Sequence, residues 1–244
     1  MFVDSIRSFL LKHPHLHAWI QKVLGFIEAK FLGTRGREWY WATRHLHGKK
    51  TNTYWEAYSR SISHPHRKLL IDKIFSYQPK NVLEIGCNTG PNLFLLAKNA
   101  NSTFNALGID INPQAIKEGK NWLEKERVNN VELKCGLGDE LEYLPDKSFD
   151  VVFSDATVIY IGPDKIARLI KNMLRIARKA IIFSEWNIEK STNNKIPVFF
   201  DEMHWVYNYR LLVNNPDIEI NPYPPGTFSS KGWEKYGAIV AFKL

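Results

Sequence analysis

The chain has 244 residues, 44% of them hydrophobic and 24% charged, the composition of a globular protein with room for one well-filled α/β domain and an accessory segment. Two cysteines, Cys87 and Cys135, exclude a disulfide framework and a zinc spacing, and no apolar run approaches the roughly 20 residues that span a bilayer. The net charge of +8 is concentrated at one end, with +9 in residues 1–80 and −1 in the remainder, which suits contact with phosphate, nucleic acid or acidic lipid as well as a plain solvated face.

Residues 1–32 place Phe2, Ile6, Phe9, Leu10, Leu16, Trp19, Ile20, Val23, Leu24 and Ile27 mostly three or four apart. That spacing predicts an amphipathic helix interrupted near Pro14. Its apolar stripe, flanked by Arg7, Lys12, Lys22 and Lys30, suits packing on the domain or on a second copy of the chain. It also suits the surface of an anionic membrane. No basic region with an apolar core opens the chain, so a secretory signal is not expected and a cytoplasmic protein, peripheral to a membrane at most, is. Gly33, Gly36 and Gly48 punctuate a basic, aromatic-rich stretch from Thr34 to Lys50. A helix is expected from near Thr53 and another over about His66 to Phe75. Residues 1–65 thus read as a helical cap and 66–244 as the main domain.

From residue 81 the rhythm is strand, helix, strand. Val82–Ile85, Ala106–Asp110, Val131–Cys135, Phe149–Phe153 and Ala180–Phe183 read as buried strands, with helices between them and Pro113 and Pro163 opening two of these helices. Cys87 and Cys135 fall in such apolar stretches and are expected as buried, reduced thiols. Later, His204–Val213 reads as helix, Asp217–Ile220 and Gly237–Phe242 as strands. The pattern predicts a doubly wound, mostly parallel sheet, seven-stranded in full.

The most informative segment is Val82-Leu83-Glu84-Ile85-Gly86-Cys87-Asn88-Thr89-Gly90, a strand ending in an acidic residue and turning through two glycines into a helix. Glycine serves where the backbone takes positive φ or approaches a ligand, and ligands of doubly wound sheets bind beyond the carboxyl ends of the strands. A carboxylate at Glu84 repels a pyrophosphate but suits a ligand carrying ammonium and sulfonium groups, which argues against a nicotinamide dehydrogenase. Asp110 ends the next strand and can accept from ribose hydroxyls. Gly138-Asp139 follows the third, where a carboxylate can accept from an adenine amino group.

Glu84–Gly90, Gly108-Ile109-Asp110-Ile111, Gly138-Asp139 and Pro145–Asp150 resemble the successive motifs of class I S-adenosylmethionine-dependent methyltransferases, closest to the quinone-biosynthesis, type-11 branch. The likeness covers about residues 64–185. It implies S-adenosylmethionine as cofactor, with Glu84, Gly86, Cys87, Asn88 and Gly90 at its methionine part, Asp110 and Ile111 at the ribose, and Gly138 and Asp139 at the adenine, Asp155 closing the site. Asn88 stands where the family commonly has the middle glycine, and Asn tolerates the left-handed conformation.

Methyl transfer from a sulfonium needs alignment and, for a hydroxyl acceptor, removal of a proton. Asp155 and His204 are the preferred catalytic pair, with Glu185 and His66 as further candidate bases. Seven of the eight histidines precede residue 67, including His64-Pro65-His66, but no cysteine or carboxylate pair accompanies them, so no metal is expected. Aromatics at Trp39, Tyr40, Trp41, Tyr54, Trp55, Tyr58, Trp186, Trp205, Tyr207 and Tyr209 can wall an acceptor pocket or pack helices. The favoured reaction is transfer to a small acceptor such as a glycan or lipid precursor. A nucleic-acid methyltransferase is disfavoured, because Ser154-Asp155-Ala156-Thr157 lacks the proline of the base-amino enzymes and no RNA-binding module is visible. A non-catalytic protein that binds the same cofactor is the alternative from another class.

Overall fold

A computed structural model describes residues 33–44, 58, 61–100, 103–189, 198–201 and 204–244. The elements are α1 (Thr34–Ala42), a 3-10 turn (Ser61–Ser63), α2 (Pro65–Phe75), β1 (Asn81–Ile85), α3 (Pro91–Asn99), β2 (Asn105–Asp110), α4 (Pro113–Lys125) and β3 (Val131–Cys135). They continue with β4 (Phe149–Asp155), a 3-10 turn (Val158–Tyr160), α5 (Ile166–Ile176), β5 (Ala177–Trp186), β6 (Val198–Asp201), β7 (His204–Tyr207), α6 (Tyr209–Val213), β8 (Ile218–Pro222), α7 (Lys231–Tyr236) and β9 (Gly237–Lys243).

Seven strands form one sheet in the order β3-β2-β1-β4-β5-β9-β8, while β6 and β7 form a separate antiparallel pair. The first five run parallel, and β9 enters antiparallel to β5 and to β8. Strand order reverses between β1 and β4, so the carboxyl ends of these two strands open a crevice where a ligand binds in such sheets.

Side-chain alternation explains the two covered faces. Leu83, Ile85, Val152, Ile181, Phe183 and Val240 pack on one side with α5, whose Ile166, Leu169, Ile170, Met173 and Ile176 form its apolar stripe. Val82, Ala106, Val151, Phe153, Ile182 and Ile239 pack on the other with Leu70 and Ile74 of α2, Leu93 and Leu96 of α3 and Ile116 of α4. Helix starts are locally encoded. Asn112 caps α4 by accepting from the Gln114 and Ala115 amides, both at 3.0 Å, and Pro113 supplies the first helical position.

The Gly-punctuated stretch contains a helix, α1, because Gly33 takes the left-handed turn (φ 54°) and Thr34 is anchored from outside by Asp164. Three expectations need correction. His204–Tyr207 is strand rather than helix, since β6 pairs with it, and only Tyr209–Val213 is helical. The helix expected at Pro163 begins at Ile166 after a turn. Cys135 is exposed on the edge strand β3, and Cys87 is buried in the turn after β1 rather than in a strand. The amphipathic segment 1–32 and the helix expected from Thr53 lie outside the described residues, apart from Tyr58.

Candidate active site

A cavity of about 440 Å³ lies over the carboxyl ends of β1, β2 and β4. The loop after β1 is built for close approach. Gly86 (φ 76°), Asn88 (φ 51°) and Gly90 (φ 83°) all take positive φ, so Asn88 does adopt the left-handed conformation in the place of a glycine. A Cβ on Gly86 would fall 1.9 Å from the Thr157 hydroxyl oxygen, and one on Gly138 would fall 2.6 Å from Ile85 Cγ2. Both positions admit glycine alone without rearrangement.

Glu84, Asp110 and Asp139, the acidic groups singled out at the ends of three successive strands, line this cavity with different partners. Glu84 is buried, its Oε1 accepts from Asn92 Nδ2 at 2.7 Å, and its Oε2 has no partner. Burial pushes its pKa well above the ordinary value, against the pull of the Asn92 hydrogen bond. A cation delivered to Oε2 would meet an unsatisfied acceptor already in place. Asp110 accepts from the Asn88 and Asn112 amides, both at 2.8 Å. Burial raises its pKa while these two amides oppose the rise. Asp139 is held between Lys165 and Arg168, each at 3.5 Å, and Lys165 also bonds Glu38 of α1.

Asp155 is the hub of a buried network. Its Oδ2 faces His66 Nε2 at 3.1 Å and accepts from Arg67 Nη1 at 3.3 Å and Asn92 Nδ2 at 3.0 Å, and its Oδ1 accepts from Ser184 Oγ at 2.6 Å. Burial alone would raise its pKa, but the contacts with His66 and Arg67 and the Ser184 hydrogen bond outweigh it and hold the carboxyl well below its usual range. Asn92 also accepts from Arg67 at 2.5 Å, so one amide side chain connects Glu84, Asp155 and the arginine.

The expected catalytic pair does not form. His204 sits on β7, 3.3 Å from the Tyr160 hydroxyl and against Trp186, while Asp155 serves His66 instead. A carboxylate that already receives bonds from several donors is a weak proton acceptor. Glu185 is also turned away from the cavity. It accepts from the amides of Thr157 (2.9 Å), Val158 (3.0 Å) and Ile159 (3.3 Å), which fixes the turn after β4. Residues overlooked in the sequence are Arg67, Asn92, Phe228 and Trp233. Asn92 had a signal, as a polar residue inside the apolar run that follows Gly90-Pro91. Phe228 and Trp233 did not, because the long loop and α7 bring them to the cavity from the far end of the chain.

α1 covers the site from the outside. The Thr34 hydroxyl donates to Asp164 (2.6 Å) and accepts from the Gly162 amide (2.8 Å), and Asn112 Nδ2 donates to the Trp41 carbonyl (2.8 Å). The Trp41 indole N–H, buried at the cavity wall, has no acceptor. Among the described residues, no group of three or more His, Cys, Asp or Glu could hold a metal, and no helix is long and apolar enough to cross a membrane.

Residues 82–180 match the family model described as a methyltransferase domain. The chain is 31% identical over 105 residues to aklanonic acid methyltransferase of a Streptomyces species, covering 43% of this chain and 47% of that protein. It is 27% identical over 118 residues to a human tRNA N(3)-cytidine methyltransferase, covering 47% of this chain and 41% of that one. These matches span less than half of each curated relative. A solved S-adenosylmethionine-dependent methyltransferase from Aquifex aeolicus superimposes with a TM-score of 0.52 at 19% identity, covering 77% of this chain and 97% of that one, a likeness of fold. With the match over residues 82–180, the strand order, the glycine turn and the acidic strand ends, this chain has the class I methyltransferase fold.

Proposed function

We propose that the protein transfers the methyl group of S-adenosylmethionine to a small acceptor. The observation that supports this most is the buried, unpartnered Glu84 Oε2 in a cavity ringed by β1, β2 and β4. That orphan acceptor fits the ammonium of the cofactor, the Gly86–Gly90 backbone fits its methionine chain, and Asp110 has lone pairs left for ribose hydroxyls. Gly138 and Asp139 flank the position expected for the adenine. When bound, the cofactor supplies an electrophilic methyl on sulfonium, and the chain has then to align a nucleophile and keep water out.

Tyr58, Tyr160, Phe228 and Trp233 contribute to the remaining wall, with Phe228 and Trp233 stacked 4.6 Å apart. Flat aromatic faces of this kind suit a ring-shaped, partly apolar acceptor such as a glycan or a phenolic precursor. In this reading α1 and Tyr58 help complete the acceptor side, and the basic N-terminal third provides for an anionic ligand or membrane surface. Isothermal calorimetry with S-adenosylmethionine and with S-adenosylhomocysteine tests the proposal. Saturable binding of both is expected, and no heat from either at millimolar concentration would reject it.

A further inference from the structure

Trp41, in the last turn of α1, lines the cavity between two strand ends. On one side its carbonyl accepts from Asn112 Nδ2 at 2.8 Å, in the turn that follows β2. On the other its indole meets the Tyr160 ring edge-on, with the centroids 4.9 Å apart, in the turn that follows β4. Because β1 lies between β2 and β4 in the sheet, Trp41 bridges the two sides of the crevice at the β1 turn. Its indole N–H is buried and has no acceptor in the protein. A buried donor left unbonded is costly, and a ligand that brings an acceptor removes that cost.

Asp110 lines the same cavity from the sheet side. Its Oδ1 is fixed by the Asn112 amide and its Oδ2 by the Asn88 amide, both at 2.8 Å. Asn112 therefore orients the carboxylate through its backbone and Trp41 through its side chain. One residue thus positions a group that only accepts beside a group that only donates. A hydroxyl suits the space they share, since it can donate to the carboxylate and accept from the indole at once. A ligand carboxylate would meet Asp110 as a like charge, and an ammonium has no lone pair to offer the indole.

We propose that Trp41 is a cofactor-binding residue, its indole N–H donating to a ribose hydroxyl that in turn donates to Asp110. The inference rests on the cofactor reading above and extends it to α1, a helix outside the residues 82–180 that match the family model. α1 then does more than border the acceptor side. Its anchors to Asn112 and Lys165 also keep the indole in place for the cofactor.

The test pairs Trp41→Phe, which keeps a ring against Tyr160 and removes the N–H, with S-adenosylhomocysteine and its 2′-deoxy and 3′-deoxy analogues. In competition calorimetry the variant is expected to bind S-adenosylhomocysteine about three- to tenfold more weakly than the wild type. For at least one deoxy analogue the two proteins should agree within about twofold, because the hydroxyl that the indole bonds is already gone. An equal loss with all three ligands overturns the inference, since packing alone would produce it. Undiminished S-adenosylhomocysteine affinity in the variant overturns it as well. A second measurement uses the wild type, labelled with nitrogen-15 at tryptophan, and the indole resonance that Trp41→Phe deletes. That resonance should lie further downfield with S-adenosylhomocysteine bound than with the matching deoxy analogue, and equal positions would count against the hydrogen bond. If the wild type binds no S-adenosylhomocysteine, the cofactor reading itself fails and takes the inference with it.

Discussion

At the scale of single residues, the acidic side chains around the cavity differ in function because they differ in partners. Glu84 has one donor and no countercharge bonded to it, and burial keeps its pKa high. Asp155 is nearly as buried but is surrounded by donors, and stays ionised. Asp110 lies between these cases, with two amides holding its orientation and lone pairs left over. Replacement of Asp110 by Ala is expected to weaken S-adenosylhomocysteine binding by about 1–3 kcal/mol, the loss of charge-assisted hydrogen bonds to ribose together with freed Asn88 and Asn112 amides. Calorimetry on a variant with wild-type circular dichroism checks this. Unchanged affinity would remove Asp110 from the site.

At the scale of elements, α1 is attached to the domain by few but well-formed contacts. Its N-terminal Thr34 is locked between Asp164 and Gly162, its middle is tied by the Glu38–Lys165 ion pair, and its last turn is held by Asn112. The helix carries no acidic residue in its first turn and no cap from its own side chains, so its position depends on these outside partners. Thr34→Val keeps the shape and removes both hydroxyl bonds, leaving the buried Gly162 amide without an acceptor at a cost of about 1–3 kcal/mol. Hydrogen exchange of residues 34–42 is expected to quicken by about tenfold or more, with exchange in β1 and β4 unaltered. Equal protection of α1 in the two proteins would show that the latch does not hold it.

At the scale of the whole molecule, Glu185 connects folding to pH. It is fully buried, and its pKa is raised to about 7, burial outweighing the bonds from the Thr157 and Val158 amides. The unfolded chain releases this proton near the ordinary value of 4.5, so between about 4.5 and 7 the folded state binds more protons. The contribution is fully present below 4.5 and is lost as pH rises through about 7. Asp155 acts in the opposite sense. Its depressed pKa gives stability that is present above the ordinary carboxylate value and fades in acid. Urea denaturation at pH 5 to 8 is expected to show stability declining over this interval in the wild type. In Glu185→Gln, where the amide oxygen still accepts, the decline should be shallower, and an identical slope would contradict the assignment.

The strands β1 to β5, helices α2 to α4, the glycine turn and the acidic ends of β1 and β2 were legible in the sequence. They depend on local rules: apolar runs of strand length, proline and asparagine at helix starts, and glycine where φ is positive. Gly86, Asn88 and Gly90 take the conformations that their residue types suggest, and the position of the cavity follows from strand order. What depends on distant partners was not legible. α1 needed Asp164, 130 positions along the chain, and β7 needed pairing with β6, which its own residues did not mark as a strand. Asp155 closes β4 and His204 opens β7, and Asp155 is bonded to His66 and His204 to Tyr160. Basicity and hydrogen-bond partnership are set by burial and by neighbours from other elements, and only the packed chain brings His64, His66, Arg67, Asn92 and Asp155 within a few ångströms of one another.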